Sequence, residues 1–209
     1  KASNQRRTTA VIDLSTVGVE AATSLSIELG GADIDYCDAP VSGGTAGAKA
    51  ATVAVMFAGP EATFGALAEP LQAIGKPFYV GPQAGQGQAM KLLNNYLSAS
   101  AMAATSEAIA FGVTEGLDPA LMVEILNASS GQNTATADKF PNRIIPGKYD
   151  SGFTNTLMTK DLELYLAGVT KAGSARRLSE NLVGLWREFL ASEPDRDFTR
   201  IYPFVKGSE

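Results

Sequence analysis

The chain has no histidine and only one cysteine, Cys37, in 209 residues. The first absence removes any Ser-His-Asp triad, Cys-His pair or imidazole-ligated metal, and a single thiol supports neither a disulfide framework nor a thiolate zinc cluster. No metal site is expected. Proton transfer near neutral pH is left to a lysine, a carboxylate or a tyrosine. Basic residues are also in deficit, with 17 Lys and Arg against 22 Asp and Glu and a formal net charge of −5. Nucleic acid and anionic membrane are therefore not expected as partners, since both call for a basic face. A long apolar run is lacking too. The most apolar stretch, residues 90–113, is broken by Lys91, Asn94, Asn95 and Glu107 and makes a poor membrane span. Residues 1–9 are polar and hold no apolar core of a signal peptide, so the expected location is the reducing cytoplasm.

What is present is enough apolar content, 45%, to fill a real core. Up to about residue 82, strand and helix patterns alternate. Strands are expected at 9–14 (TAVIDL), 34–37, 52–58 (TVAVMFA) and 77–80, and helices at 17–29, closed by Gly30-Gly31, and 61–74. Such alternation predicts an α/β layer with a largely parallel sheet. Beyond Gly87 only helical patterns remain. Residues 88–115 hold no proline and one glycine, which at about 1.5 Å per residue allows a helix on the order of 40 Å. Gly116 suits a left-handed C-terminal cap, and Asp118-Pro119 an N-cap with proline in the first turn of a helix reaching about residue 128. One short helix is expected before Pro141, then two with apolar stripes at 157–171 and 175–190, where Leu182, Trp186 and Phe189 read as core. The expected division is 1–84, an α/β part, and 85–209, all-helical.

Three places could carry chemistry. Ser42-Gly43-Gly44 follows a predicted strand, where α/β sheets open their ligand crevice, and its hydroxyl and backbone N–H groups could hold a carboxylate or phosphate. An ordinary glycine-rich turn explains the same residues. Gly85, Gly87, Gln88, Lys91, Asn94, Asn95 and Ser98 form one polar stripe on an otherwise apolar helix. It is either a solvated face or a site, and the neutral amides and close-approach glycines weigh toward a site. A lysine among apolar neighbours has its charged form disfavoured and becomes usable as a general base. Lys160-Asp161 reads in isolation as a surface ion pair, and Ser15-Thr16 as a helix N-cap.

Taken in order, IDLST (12–16), DAPVSGG (38–44), GQGQAMKLLNN (85–95), SEAIAFGVTEGLD (106–118) and TKDLEL (159–164) resemble the β-hydroxyacid dehydrogenases, the family of 3-hydroxyisobutyrate dehydrogenase and tartronate semialdehyde reductase. The likeness covers nearly the whole chain, and the motifs are specific together where each alone is not. It implies a partial Rossmann-type sheet followed by a helical C-terminal domain like that of 6-phosphogluconate dehydrogenase, with NAD or NADP as cofactor. It also implies a small 3-hydroxy acid as substrate and a homo-oligomer, dimer or tetramer. Lys91 matches the family's catalytic lysine, and Asn95 its substrate-orienting asparagine. Ser42, Gly43 and Gly44 match the substrate carboxylate loop, and Thr16 and Lys160 match positions that contact cofactor or substrate. Lysine at position 91 separates the chain from the imine reductases, and Asn rather than His in KLLNN from 6-phosphogluconate dehydrogenase itself. The family's GxGxxG fingerprint does not occur in the sequence. The resemblance thus places the pyrophosphate-binding half, on the order of 80 to 90 residues, outside this chain. The alternative is a non-enzymatic module in which the helices serve dimerisation and no cofactor binds.

Overall fold

The computed structural model describes residues 8–207. Seven residues of the polar N-terminal run discussed above lie outside that range. The chain divides into two units, residues 1–93 with 167–172, and residues 94–166 with 173–209.

The first unit is built on a five-stranded mixed sheet. Its elements are β1 (Ala10–Asp13), α1 (Val19–Gly30), β2 (Asp35–Asp38), β3 (Val41–Ser42), α2 (Gly44–Lys49), β4 (Val53–Ala58), α3 (Glu61–Gln72) and β5 (Gly75–Gly81). The expectation of a largely parallel sheet holds for two pairs, β1 with β2 and β4 with β5. It fails in the middle, where β2 and β3 both run antiparallel to β4. The pairings Asp38↔Ala58, Val41↔Val55 and Ser42↔Ala54 keep one register, so residues 38–42 behave as one extended segment. It is interrupted at Ala39-Pro40 because proline has no N–H to give to the ladder. Pro40 still accepts from the N–H of Met56 at 3.0 Å. The DAPVSGG stretch after the predicted strand is therefore part strand, at Asp38, Val41 and Ser42, and α2 fills the turn between Ser42 and Val53. β4 is buried on both faces except at Ala54, and on one of them Val53, Val55 and Phe57 cluster with Cys37, Ala39 and Leu71. The valines, Leu71 and Phe57 each contribute about 1.5–3 kcal/mol by leaving water.

The second unit is helical. The 29-residue α4 (Gln86–Thr114) begins in the first unit and continues into the second, followed by α5 (Pro119–Asn127), a π-helix (Ala135–Ile144), α6 (Asn155–Lys171, ending in the first unit), α7 (Arg177–Ser192), a 3-10 turn (Phe198–Arg200) and α8 (Ile201–Lys206). Gly116 has φ +82°, and the Asp118 carboxylate accepts the N–H of Leu121 at 2.9 Å, as the capping residues predict. The short helix expected to stop before Pro141 instead runs through it to Ile144. Pro141 cannot donate, and its ring crowds the preceding turn; widening that turn to the π form accommodates both, with the N–H of Ile145 reaching the carbonyl of Phe140 at 2.9 Å. Trp186, Phe189 and Ile201 are fully buried in the core, and Trp186 meets Phe189 edge-on at 5.9 Å between centroids. The last short helices, from Phe198 onward, had no clear periodic signal in the sequence.

Candidate functional site

In the first unit, the candidate residues lie on three segments: the one after β1, the junction of β3 with α2, and the N-terminal turns of α4. Thr16 is half-buried in the segment after β1, Ser42 is half-buried in β3, and Gly43 and Gly44 are exposed at the start of α2. Gly43 (φ +145°) and Gly44 (φ +63°) both occupy backbone conformations that favour glycine. Lys91 lies in the second turn of α4 and is 8% exposed.

Asp38, which the sequence did not single out, and Gln88, which it placed in the polar stripe of α4, organise this region. Asp38 is fully buried, and its carboxylate accepts the N–H groups of Gly85 and Gln88, both at 2.7 Å. It thereby caps α4 from a different element, satisfying N–H groups that the first helical turn leaves over. Burial pushes this carboxyl above its ordinary range, the backbone donors holding back part of the rise. Its place beside the serine-glycine turn, in DAPVSGG, was the available signal. Gln88 is also fully buried and contacts the segment after β1: its Oε1 accepts from Val17 and Gly18, and its Nε2 donates to the carbonyl of Ser15. Gly87 proves to be a close-approach glycine, but what approaches is the protein itself, since a Cβ there would lie 2.7 Å from Asp38 Oδ2. At the end of β1, burial raises the Asp13 carboxyl, but hydrogen bonds from Ser15 and from the Tyr36 hydroxyl, 2.9 Å away, lower it further than burial raises it.

In the second unit, Asn95 is 6% exposed, one turn beyond Lys91 on α4. Its Nδ2 donates to Asp161 Oδ2 at 2.6 Å, and its Oδ1 accepts from Asn94 at 3.1 Å. The other oxygen of Asp161 pairs with the Lys160 ammonium at 3.0 Å. The expected surface ion pair is thus one-sided: Lys160 is exposed while the Asp161 side chain is 3% exposed, because the carboxylate turns inward to the asparagine. Asp161 is the member of that dipeptide that the sequence did not single out, since nothing in a KD pair shows which residue faces the interior.

Comparison with known proteins places the chain in a family. Residues 2–82 match the family model described as the NAD binding domain of 6-phosphogluconate dehydrogenase, and residues 85–205 the model for NAD-binding of NADP-dependent 3-hydroxyisobutyrate dehydrogenase. The chain belongs to the β-hydroxyacid dehydrogenase family, the group typified by 3-hydroxyisobutyrate dehydrogenase. The Pseudomonas aeruginosa 3-hydroxyisobutyrate dehydrogenase is 33% identical over 95% of this chain and 70% of its own length. A 2-(hydroxymethyl)glutarate dehydrogenase from Eubacterium barkeri is 39% identical over 76% of this chain and 52% of its own length. The Mycobacterium tuberculosis 3-hydroxyisobutyrate dehydrogenase, solved with L-serine, superposes with a TM-score of 0.89 at 30% identity, covering 97% of this chain and 72% of that one. The fold expected from the sequence, a dinucleotide-binding type sheet followed by a helical domain, is the fold of these relatives. The chain spans only part of each relative's length, little more than half in the Eubacterium case.

Proposed function

We propose that this chain carries the substrate side of an NAD(P)-dependent β-hydroxyacid dehydrogenase acting on a small 3-hydroxy acid and its semialdehyde. The observation that carries the reading is the burial of two polar side chains, Lys91 and Asn95, one turn apart on α4. Burying such groups is costly unless they are put to use or satisfied. Beside the family match, the residues fit the nicotinamide end of a dinucleotide. The segment holding Thr16 lies after the C-terminal end of β1, where sheets of this kind meet their ligands; Lys160 enters the reading through the family resemblance alone. The residues do not supply a pyrophosphate cradle, for which the sequence has no GxGxxG turn.

Bound there, the nicotinamide would supply the hydride acceptor for the carbinol carbon, or the donor in reverse. Lys91 Nζ takes the hydroxyl proton as the carbonyl forms and returns it in the reductive direction. Asn95 holds the reacting oxygen with its amide, while Ser42 Oγ and the N–H groups of Gly43 and Gly44 hold the substrate carboxylate. Fixing both ends of a short substrate sets the hydride path by position.

Lys91→Ala is expected to lower kcat by about a hundredfold or more, the scale of a lost general base, with the fold unchanged by circular dichroism. Turnover retained in that variant would remove Lys91 from the role. Titration with NADH and NADPH tests the cofactor reading directly. Self-association is the second property supported, by Leu97 and Phe111, which α4 leaves 61% and 69% exposed. Light scattering should give a dimer or tetramer, and a monomer would exclude it. Among the described residues no helix is long and apolar enough to cross a membrane, and a lone buried thiol suits the reducing cytoplasm.

A further inference from the structure

We infer that Gln88 is a positioning residue, a latch that fixes the segment carrying Thr16 to the helix carrying Lys91; the inference rests on the reading of those two residues given above. A fully buried glutamine is unusual, and this one spends its amide on a single short stretch of backbone. Gln88 Oε1 accepts from the N–H groups of Val17 at 3.0 Å and Gly18 at 3.1 Å, and Nε2 donates to the carbonyl of Ser15 at 2.9 Å. The three bonds bracket Thr16, tying down the residues on both sides of it. The required pattern is one acceptor for two N–H groups plus one donor for a carbonyl. Ionised glutamate lacks the donor, methionine offers only a weak thioether acceptor, and asparagine is one methylene too short.

The latch is anchored at its other end. The N–H of Gln88 itself goes to Asp38 Oδ2, and Asp38 leads along the extended segment 38–42 to Ser42. Lys91 follows Gln88 by three residues and lies on the same side of α4. Two buried side chains, Gln88 and Asp38, therefore join the end of β1, the start of α4 and the strand leading to the carboxylate turn. A purely structural reading also exists: Gly18 is the N-cap of α1, and Gln88 accepts its N–H, one of the donors that the start of a helix leaves without an intrahelical partner.

The test compares the wild-type chain with Gln88→Met and Gln88→Glu. Amide hydrogen exchange is read at Val17, Gly18 and β4, and kcat and KM are read with 3-hydroxyisobutyrate and NAD or NADP. In Gln88→Met, exchange at Val17 and Gly18 should accelerate about tenfold or more while β4 stays protected, because their acceptor is gone. In the same folded variant kcat should fall about tenfold or more with KM changed by no more than about twofold, the sign of misplaced rather than lost groups. Unchanged exchange at Val17 and Gly18 would overturn the latch, and faster exchange with unchanged kcat would reduce Gln88 to a helix cap and overturn its positioning role. Should Gln88→Met not fold, Gln88→Glu replaces it. That variant keeps the acceptor but has a donor to the Ser15 carbonyl only while protonated, so kcat should fall relative to wild type once pH is raised far enough to ionise the new carboxyl, and wild-type kcat in the ionised variant would overturn the proposal. If the wild-type chain proved inactive, the functional reading would fail separately, and the exchange comparison alone would decide the latch in either direction.

Discussion

Asn95 donates its side-chain amide to Asp161 at 2.6 Å, and both residues are buried. This bond settles which end of the Asn95 amide faces the carboxylate, and with Asn94 donating to Oδ1 it gives the side chain a single orientation. A residue proposed to hold a substrate hydroxyl gains from such orientation, because its rotamer is chosen before the substrate arrives. Asp161→Ala should leave a buried amide N–H unpaired, at a cost of about 1–3 kcal/mol in urea unfolding. It should also lower turnover in the folded enzyme. Full stability and turnover in Asp161→Ala would mean that the bond sets nothing.

The contact of Gly87 with Asp38 gives a second prediction. A Cβ at position 87 would fall 2.7 Å from Asp38 Oδ2 and close to backbone of β2 and β4, where nothing flexible can yield. Gly87→Ala should therefore destabilise the protein by about 1–3 kcal/mol, the usual cost of overpacking, although alanine is intrinsically the better helix former. Gly65→Ala in α3, where nothing lies within 4 Å of the added carbon, serves as the control and should be neutral or slightly stabilising. Equal effects at the two positions would refute the account.

The glycine pair 85 and 87 also shows how far the sequence could be read. Periodicity located α1, α3, α4, α5, α6 and α7, because each shows an apolar stripe or recognisable end signals. It missed the antiparallel pairing of residues 38–42 with β4, since a short extended segment containing proline looks like a loop until its partner is known. It missed the π-helix because Pro141 signals a stop in one dimension, whereas a widened turn can carry the chain past it. Lys91 and Asn95 stood out as polar residues on an apolar helix. Gln88 stood in the same stripe but without a role of its own, and Asp38 and Asp161 did not stand out, because the importance of all three lies in bonds to residues 47 to 73 positions away, several of them to backbone. Such partners leave no mark in local pattern.

The second unit carries a pH-dependent tie. The guanidinium of Arg200 hydrogen-bonds Glu193 at 2.7 Å and holds its carboxyl below the usual glutamate range. A carboxyl lowered on folding adds stability above its unfolded pKa and loses it as pH falls through the folded value. Glu193→Gln should therefore reduce stability at neutral pH and converge with wild type in acid. The difference should be small, about 0.2–1 kcal/mol, because both side chains keep substantial access to solvent. A difference that persisted unchanged into acid would show that the charge of Glu193 is not its source.

Cys37 offers the sharpest readout of whether the sheet is intact. It lies fully buried in β2, and the backbone of Gly59 lies so close that a side chain at position 59 would strike its sulfur. Burial, with the Asp35 and Asp38 carboxylates nearby, pushes the thiol up to about 11. The thiolate is the reactive form, and at pH 8 it would be on the order of one part in a thousand even before access is considered. The folded protein should accordingly take up no Ellman's reagent over minutes, while the protein in guanidinium should titrate one thiol per chain at once. Gly59→Ala, which forces the strand away from Cys37, should open the thiol to the reagent without denaturant. Rapid labelling of the native wild type would contradict the packing of β2 against the turn at Gly59.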